Sequence, residues 1–292
     1  MRGGVLLLDK PLGLSSNAAL QRVRTLFGGV KAGHVGSLDP LATGMLPVCL
    51  GEATKVAGDI VSLRKYYRFV VRLGESTITG DAEGAVRERA AVPELTAPAI
   101  EAVLARFTGV TRQVPPMYSA IKQGGEPLYR LARAGIEVPR DAREVRIDAL
   151  TLVGYAAPEL TLETLCAKGT YVRVLAADLA RSLGTVGHVV FLRRVYVEPF
   201  GAEPMHTLEA LTERAARGEL LPLLPPDAPL AHLPAAAVSA EERLRLLQGQ
   251  RLRRLGAAAA PRVRLYGPER EFLGLGSLEA GELRPRRLLA VP

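Results

Sequence analysis

The chain has 292 residues, of which 48% are hydrophobic and 23% are charged, a composition typical of a folded globular protein and not of a disordered chain. Its 38 lysines and arginines outnumber its 30 acidic residues, and the formal charge of +8 indicates an anionic partner such as a nucleic acid. No apolar run is long enough for a membrane span, the first residues do not form a signal sequence, and two cysteines cannot build a disulfide framework or a four-ligand zinc site. We therefore expect a soluble, cytoplasmic protein with buried thiols.

The first elements follow from the spacing of apolar residues. Residues 4–8 form an apolar run that predicts a strand. A helix is predicted from Ser15 or Ser16 to about residue 27, because either serine can cap it and apolar side chains recur at helical spacing. Residues 31–51 lose this periodicity and contain repeated glycines and prolines, which predicts a long structured loop feeding short strands.

The middle of the chain alternates between strands and helices. Further elements are predicted, in chain order, as a strand at 66–73, a helix between Thr96 and Gly109, a strand at 160–165, a helix at 174–183 and a strand at 189–197. Residues from about 113 to 140 are polar, basic and contain prolines, so we interpret them as an insertion lying over a site. Because the order lacks a strict βαβ rhythm, the sequence predicts an α+β fold with a sheet of mixed direction.

The C-terminal part has a different character. Residues 221–234 are rich in proline, which is typical of a linker. Beyond them, residues 239–242 form a capping box before a short helix, and short apolar runs at 263–266 and 272–276 predict strands. We therefore expect a small β-rich module at the C-terminus.

The segment 33–47 carries most of the chemical information. Proline after Asp39 favours an extended presentation of its carboxylate, and the surrounding glycines allow a ligand or another backbone to approach closely. Such a carboxylate suits a nucleophile, a general base or a cap of its own loop. A metal site is disfavoured, because no further ligand follows at metal-binding spacing. A catalytic triad of Ser37, His34 and Asp39 is disfavoured too, because residues so close in sequence rarely reach the required geometry.

Residues 32–47 (AGHVGSLDPLATGMLP) closely resemble the catalytic motif of the TruB family of pseudouridine synthases. Other segments resemble motifs of that family in the same order along the chain, namely 8–11, 50–55, 65–68, 116–122, 168–173 and 192–194. The resemblance covers residues 4 to about 200, and residues 227–292 are similar, less sharply, to the family's PUA-like module. It implies an α+β fold with a mixed, mainly antiparallel sheet flanked by helices.

The resemblance also implies a division of the chain and an activity. Residues 1–226 would be the catalytic domain, with the RNA-clasping insertion at about 113–140, and residues 227–292 a PUA-like RNA-binding domain. The implied reaction converts uridine 55 in the T loop of tRNA to pseudouridine, after the base has been flipped out of its stack. The tRNA T stem-loop would be the partner, without an obligatory protein partner and with the enzyme as a monomer. No cofactor is expected, because the isomerisation is redox-neutral and the chain lacks nucleotide-binding fingerprints, and no metal is expected.

The resemblance assigns catalytic roles to three residues. Asp39 is the nucleophile, and a covalent route needs its carboxylate to be ionised. Arg173 pairs with it, and we expect the guanidinium to orient the carboxylate and to lower its pKa. Tyr67 stacks on the target uracil, and its hydroxyl is a candidate for the proton relay.

The remaining residues are assigned by resemblance to substrate contact or to support of the site. His34 would fill the space left by the extruded base, and Leu192 would close the pocket opposite Tyr67. The other residues expected to contact the RNA are Tyr118, Lys122 and Lys168. The residues expected to support the site structurally are Lys10, Pro11, Gly36 and Pro40.

Other functions remain to be separated from this one. A non-catalytic RNA-binding or tRNA-folding protein on the same scaffold would not need Asp39, Arg173 and Tyr67 together. A hydrolase with an aspartyl intermediate is disfavoured, because no second carboxylate follows Asp39 within ten residues. Within the family, the long insertion favours the stand-alone enzymes over guide-RNA-dependent relatives.

Overall fold

The computed structural model describes residues 3–61, 63–201, 203–254, 256 and 258–289. The strands in these ranges are β1 (Gly3–Lys10), β2 (Ala32–His34), β3 (Ala42–Gly51), β4 (Lys65–Leu73), β5 (Glu75–Thr77), β6 (Val86–Arg89), β7 (Gly109–Gln113), β8 (Lys122–Gln123), β9 (Glu126–Pro127), β10 (Arg143–Ala156), β11 (Glu159–Cys166), β12 (Gly187–Val197), β13 (Ala235–Ala237), β14 (Leu252–Arg253), β15 (Ala260–Tyr266), β16 (Phe272–Glu279) and β17 (Glu282–Leu288). The helices are α1 (Ser16–Leu26), α2 (Ala57–Val61), α3 (Ala97–Ala105), α4 (Leu128–Arg133), α5 (Val172–Ser182), α6 (Leu208–Ala216) and α7 (Ala240–Leu247). No helix in this part of the chain has the length and apolar character to cross a membrane.

An eight-stranded sheet forms the larger part of the molecule. Its strands follow the order β1-β3-β12-β4-β11-β10-β7, and β2 pairs with β3 on the side opposite β1. Neighbouring strands are antiparallel except β3 and β12, which run parallel. The predicted α+β class with a mixed, mainly antiparallel sheet is confirmed.

Side-chain alternation decides which face of this sheet is covered. Along β4, Tyr67, Phe69 and Val71 are buried while the residues between them are partly or fully exposed, as the sequence predicts. The buried side chains join residues of α1, α3, α5 and α6 in one hydrophobic core. The helices therefore cover one face of the sheet, and the predicted cap of α1 is present because the Ser15 side chain accepts a hydrogen bond from Ala18 N at 3.1 Å.

The prediction of a loop over residues 31–51 is wrong for its second half. Residues 42–51 form β3, a ten-residue strand that lies between β1 and β12. Glycine and proline discourage a strand when they are judged locally. A strand covered on both faces is instead recognised by a nearly continuous apolar run, and residues 44–50 are all buried. The loop proper is restricted to residues 35–41, between β2 and β3.

The proline-rich segment 221–234 is also more ordered than a linker. Leu224 exchanges two backbone hydrogen bonds of 2.9 Å with Val5, so the chain extends the sheet edge at β1. Pro229 and Leu230 are buried, and Leu230 belongs to an apolar cluster with Val56 and Leu275. The prolines thus shape a packed connection instead of a flexible one.

The C-terminal residues form a second, five-stranded sheet in the order β13-β15-β16-β17-β14. The predicted capping box is present at the start of α7, with Ser239 and Glu242 bonding reciprocally. Lys55 Nζ donates to Leu288 O at 2.9 Å, and Arg287 Nη1 donates to Lys55 O at 2.6 Å. The expected β-rich C-terminal module is confirmed, and backbone-directed contacts attach it to the larger sheet.

Candidate active site

The loop that carries Asp39 is fastened to the start of α1. The Ser16 hydroxyl accepts a hydrogen bond from Leu38 N at 2.7 Å and donates one to Leu38 O at 2.9 Å. Pro40 O accepts from Gly13 N at 2.9 Å. The backbone on both sides of Asp39 is therefore held by a neighbouring element, which fixes the position of its carboxylate.

Lys10 supports the same loop from below. Its side chain is fully buried, and Nζ donates to the carbonyls of Pro11 at 2.8 Å, Leu14 at 2.6 Å and Pro40 at 3.4 Å. Burial lowers the pKa of Lys10 to about 8, and the nearby Asp39 carboxylate opposes this shift. Lys10 thus connects Pro11 and Leu14 with Pro40 of this loop.

Arg173 meets Asp39 from the first turn of α5. This helix begins two residues earlier than predicted, and Gln113 of β7 accepts a hydrogen bond from Tyr171 N at 3.0 Å where it starts. Arg173 Nε lies 2.9 Å from Asp39 Oδ2, and Arg173 is 5% exposed. Its other nitrogens donate to Thr79 O at 2.5 Å and Tyr118 O at 2.7 Å. The guanidinium is therefore fixed on all sides.

Asp81 is a second carboxylate at this site, and sequence reasoning missed it. Its Oδ2 lies 3.6 Å from Arg173 Nε, and the residue is 3% exposed. Thr79 Oγ1 donates to Asp81 Oδ1 at 2.5 Å, and Glu83 N donates to the same oxygen at 3.1 Å. A search limited to the residues that follow Asp39 could not find it, because Asp81 is brought to the site by the turn after β5.

The electrostatics of Asp39 differ from the expectation. Burial raises the pKa of Asp39, Arg173 opposes that rise, and the negative charge of Asp81 adds to it. The expectation that Arg173 would hold the pKa below its usual value is therefore wrong in its net direction. The guanidinium limits a desolvation effect that the sequence alone does not reveal.

Tyr67 and Leu192 line the cavity above this pair. Tyr67 is 9% exposed on β4, and Leu192 is 5% exposed on β12. Together with Asp39, Arg173 and Gly36 they line a cavity of about 370 Å³, a size within the range of small-ligand sites. Residues far apart in the sequence thus meet around one concave space.

Arg194 is a further buried residue of this cavity that sequence reasoning did not single out. It is 1% exposed and lies on β12. Nε donates to Met45 O at 2.7 Å, Nη2 donates to Gly36 O at 2.8 Å, and Nη1 lies 3.5 Å from the Tyr67 hydroxyl. Two adjacent arginines in a strand gave no signal of which one is buried.

The remaining predicted contacts divide between two neighbouring cavities. Lys168 is exposed and lines the cavity of about 370 Å³ that Asp39 and Tyr67 share. Lys122 lines a smaller cavity of about 150 Å³ together with Arg143, and Ile121 borders both cavities. Tyr118 reaches the site through its carbonyl, which holds Arg173, and its side chain is half-buried.

His34 lies on β2, outside the lining of the cavity that contains Asp39. It is half-buried, and its Nδ1 has no hydrogen-bond partner among the residues that the structure describes. Burial lowers the pKa of His34, and the positive charge of Arg194 adds to this effect. Neutral imidazole is therefore favoured.

A larger depression of about 530 Å³ lies elsewhere, beside Arg72 and Arg89. Both arginines are paired there, Arg72 with Glu159 at 2.7 Å and Arg89 with Glu75 at 2.9 Å. None of the predicted site residues lines it. In the described part of the chain, no three His, Cys, Asp or Glu residues are grouped to hold a metal ion.

Three family models match the sequence. Residues 24–172 match the N-terminal domain of the TruB family pseudouridylate synthases. Residues 173–226 match a tRNA pseudouridylate synthase B C-terminal domain, and residues 234–289 match the C-terminal part of pseudouridine synthase II TruB. Together these models cover most of the chain.

Curated relatives are similar over nearly the full length. The tRNA pseudouridine synthase B of Chromohalobacter salexigens is 51% identical over 289 residues, covering 98% of this chain and 94% of that protein. The protein of the same name from Aromatoleum aromaticum is 50% identical over 288 residues, covering 98% of this chain and 92% of that protein.

Solved structures share the fold at low sequence identity. A chain in the structure of an H/ACA RNP bound to a substrate RNA containing 2′-deoxyuridine has a TM-score of 0.74 and 19% identity, covering 99% of this chain and 86% of that chain. A chain in a Cbf5-Nop10-Gar1 complex has a TM-score of 0.72 and 21% identity, covering 98% of this chain and 85% of that chain. These likenesses show the fold.

Proposed function

Because the chain belongs to the TruB family and is a tRNA pseudouridine synthase, we propose that it isomerises uridine 55 of the T loop with Asp39 as the nucleophile. The observation that carries this proposal is the contact of 2.9 Å between Asp39 Oδ2 and Arg173 Nε at the cavity. The carboxylate is 41% exposed while the guanidinium is 5% exposed. A fixed cation therefore presents an accessible anion to the substrate.

The reaction needs a group that accepts C1′ while the base turns. The N1–C1′ bond breaks with its electron pair left on uracil, and an Asp39 oxygen bonds to C1′. The ring then turns, C5 bonds to C1′, and the carboxylate leaves. C5 loses a proton and N1 gains one, so the product is an isomer of the substrate. Asp39 must be ionised, which its pairing with Arg173 favours against the effect of burial.

The walls of the cavity suit a flipped base. Tyr67 offers an aromatic ring for stacking, and Leu192 supplies an apolar surface in the same cavity. His34 would occupy the space that the base leaves in the T loop.

The rest of the substrate would be held by phosphate contacts. The segment between β7 and β10 contains β8, β9 and α4 and borders the cavity through Ile121. Lys122 and Lys168 are exposed and have no ion-pair partner among the described residues, which suits contacts with phosphate. This segment is proposed as the RNA-clasping insertion.

The division of labour along the chain is also a proposal. Residues 1–226 would hold the catalytic site, and residues 227–292 would form the PUA-like RNA-binding domain. The separate five-stranded sheet and the family match over residues 234–289 support the second assignment. A cytoplasmic enzyme that acts on tRNA as a monomer, without an obligatory protein partner, is part of the same proposal. Light scattering of the protein with and without tRNA tests the monomer.

Release of tritium from a T-arm stem-loop labelled at uracil C5 tests the target and the nucleophile together. We expect wild type to release the label from position 55, Asp39→Asn to release none, and both to bind the RNA with similar affinity. Asp178→Asn is the matched control, because Asp178 lies on α5 and pairs with Arg181 away from the cavity.

Each outcome decides one part of the proposal. Equal release by wild type and Asp39→Asn would remove the nucleophile assignment. A folded wild type that binds the stem-loop but releases no label would contradict the assignment of uridine 55. It would favour an RNA-binding or tRNA-folding role for the protein.

A further inference from the structure

Arg194 is a buried cation for which the described part of the chain provides no anionic partner. No carboxylate of the residues that the structure describes lies within ion-pair distance of its guanidinium, although the residue is only 1% exposed. Removing an unpaired charge from water is costly, so folds rarely keep one without a use. Its neighbour Arg193 is different, because it pairs with Asp9 through contacts of 3.0 and 2.7 Å.

The hydrogen bonds of Arg194 tie three parts of the site together. Its Nη2 holds Gly36 O in the loop of Asp39, and its Nε holds Met45 O in β3. The closest contact of an added Gly36 Cβ would be Arg194 Nη1 at 3.3 Å, so glycine leaves room for the guanidinium beside the loop. The guanidinium is therefore fixed at the wall of the cavity.

The third contact sets the direction of a proton. A guanidinium can only donate, so the Tyr67 oxygen is the acceptor of the 3.5 Å contact with Arg194 Nη1. The phenolic proton then points away from Arg194. Tyr67 lines the cavity, so this proton is available to a bound ligand.

Two cationic side chains, Lys65 and Arg194, line the same cavity as Tyr67. Lys65 also lines the cavity, and burial together with the charge of Arg194 lowers the pKa of Lys65 to about 8. Burial raises the pKa of Tyr67, and the charge of Arg194 opposes that rise. The field of Arg194 is thus felt by the groups around the ring that would stack on the base.

We propose that Arg194 is a positioning residue for the isomerisation: it turns the Tyr67 hydroxyl proton toward the bound uracil and, through that hydroxyl, stabilises the negative charge that the ring carries after the N1–C1′ bond breaks. The inference rests on the proposed function. It adds which residues stabilise the electron pair of the N1–C1′ bond while that pair is on the uracil ring. The pair that leaves C1′ stays on the ring as a uracil anion, and it is used again when C5 bonds to C1′. A preorganised donor in a dry cavity is suited to such transient charge.

The test compares two leaving groups. Arg194→Gln removes the charge and keeps a hydrogen-bonding side chain, and the T-arm stem-loop carries either uridine or 5-fluorouridine at the target position. Fluorine withdraws electrons and stabilises the same ring anion, so the fluorinated base depends less on the protein. Single-turnover loss of each nucleoside is followed in nuclease digests, and RNA affinity is measured in parallel.

We expect Arg194→Gln to slow the loss of uridine about 100-fold and the loss of 5-fluorouridine clearly less, with RNA affinity unchanged. Arg193→Gln is the control and should leave both rates near wild type. Equal slowing of both nucleosides by Arg194→Gln would overturn the proposal, because a purely structural defect does not distinguish leaving groups.

A second variant covers the case in which Arg194→Gln does not fold. Arg194→Lys keeps the charge but loses the planar guanidinium with its several donors. We expect slower turnover, with the same ratio of the rates on uridine and 5-fluorouridine as in wild type. A folded Arg194→Lys that binds RNA but is inactive on uridine would contradict a role for the charge.

A double-mutant cycle tests whether Arg194 acts through Tyr67. In a Tyr67→Phe background, Arg194→Gln should add little further loss of rate, because the hydroxyl through which Arg194 acts is already absent. Additive losses would show that Arg194 does not act through the Tyr67 hydroxyl and would overturn the proposal. If wild type itself fails on uridine 55, the proposed function falls; if wild type is active and these ratios do not change, only the role of Arg194 falls.

Discussion

Arg173 Nε lies 2.9 Å from Asp39 Oδ2 and 3.6 Å from Asp81 Oδ2, so one guanidinium is shared by an accessible and a buried carboxylate. Its remaining nitrogens are bound to backbone carbonyls. The cation therefore cannot follow Asp39 if the loop moves, and the loop is held independently by Ser16 and Lys10. The position of the proposed nucleophile is therefore set before substrate binds.

Replacing the guanidinium group of Arg173 tests this arrangement. Arg173→Lys keeps a charge but cannot serve Asp39, Thr79 O and Tyr118 O together, so we expect a loss of about 100-fold or more in single-turnover rate. Arg173→Met leaves the buried Asp81 without its cation and should lower the free energy of unfolding by about 3–5 kcal/mol. Rates and urea unfolding measure these effects. Arg181→Lys on the same helix is the control, and equal effects of the two lysine variants would contradict the prediction.

The acid side of the pH–rate profile reports on Asp39. Its pKa is raised by burial and by Asp81, and only the ionised form is a nucleophile. The rate should therefore fall as the pH drops through this raised pKa, at a higher pH than an exposed aspartate would give. Asp81→Asn removes a negative neighbour, so the pKa of Asp39 falls and the acid limb moves to lower pH. A limb that stays in place or moves upward in Asp81→Asn would refute the assignment.

Gly44 is required by the contact between β3 and β12. Its φ is +98°, and an added Cβ would lie 2.2 Å from the backbone oxygen of Arg194. We expect Gly44→Ala to lower the free energy of unfolding by about 2–5 kcal/mol because the backbone must shift. Gly33→Ala is the matched control, since nothing lies within 4 Å of its added Cβ. Urea unfolding of both variants decides the matter, and similar stability would count against this packing.

Lys168 offers a test of phosphate binding at the rim of the cavity. It is exposed, lines the cavity and has no ion-pair partner among the described residues. We expect Lys168→Gln to weaken tRNA binding and to reduce the slope of log affinity against log salt by about 1. Arg106→Gln, exposed at the end of α3, should leave the slope unchanged. An unchanged slope for Lys168→Gln would show that Lys168 does not neutralise a phosphate.

Much of the architecture could be predicted from local patterns. The alternation along β4, the cap of α1 and the capping box of α7 are all present, because each depends on a few neighbouring residues. The strand β3 and the packed connection at 221–234 were missed. Their glycines and prolines discourage regular structure locally, and contacts with β12 and with Val5 outweigh that preference.

The candidate site shows the same division. Asp39, Tyr67, Arg173 and Leu192 were selected by resemblance to motifs, and they line one cavity. Asp81 lies outside the recognised motifs, and the motif at 192–194 does not reveal that Arg194 is the buried arginine, because burial and partners distant in the chain decide both roles. The direction of the Asp39 pKa shift was missed for the same reason, since desolvation depends on the surrounding fold.

The order of residues by itself determined most of the elements, the family and the candidate nucleophile Asp39, because hydrophobic periodicity, caps and contiguous motifs depend on neighbouring residues. Only the tertiary structure decided that one arginine is shared between two carboxylates, that Arg194 is buried with no carboxylate of the described residues in ion-pair distance, and that the pKa of Asp39 is raised. These properties depend on distance and on exclusion of water, which arise only when remote segments pack against each other.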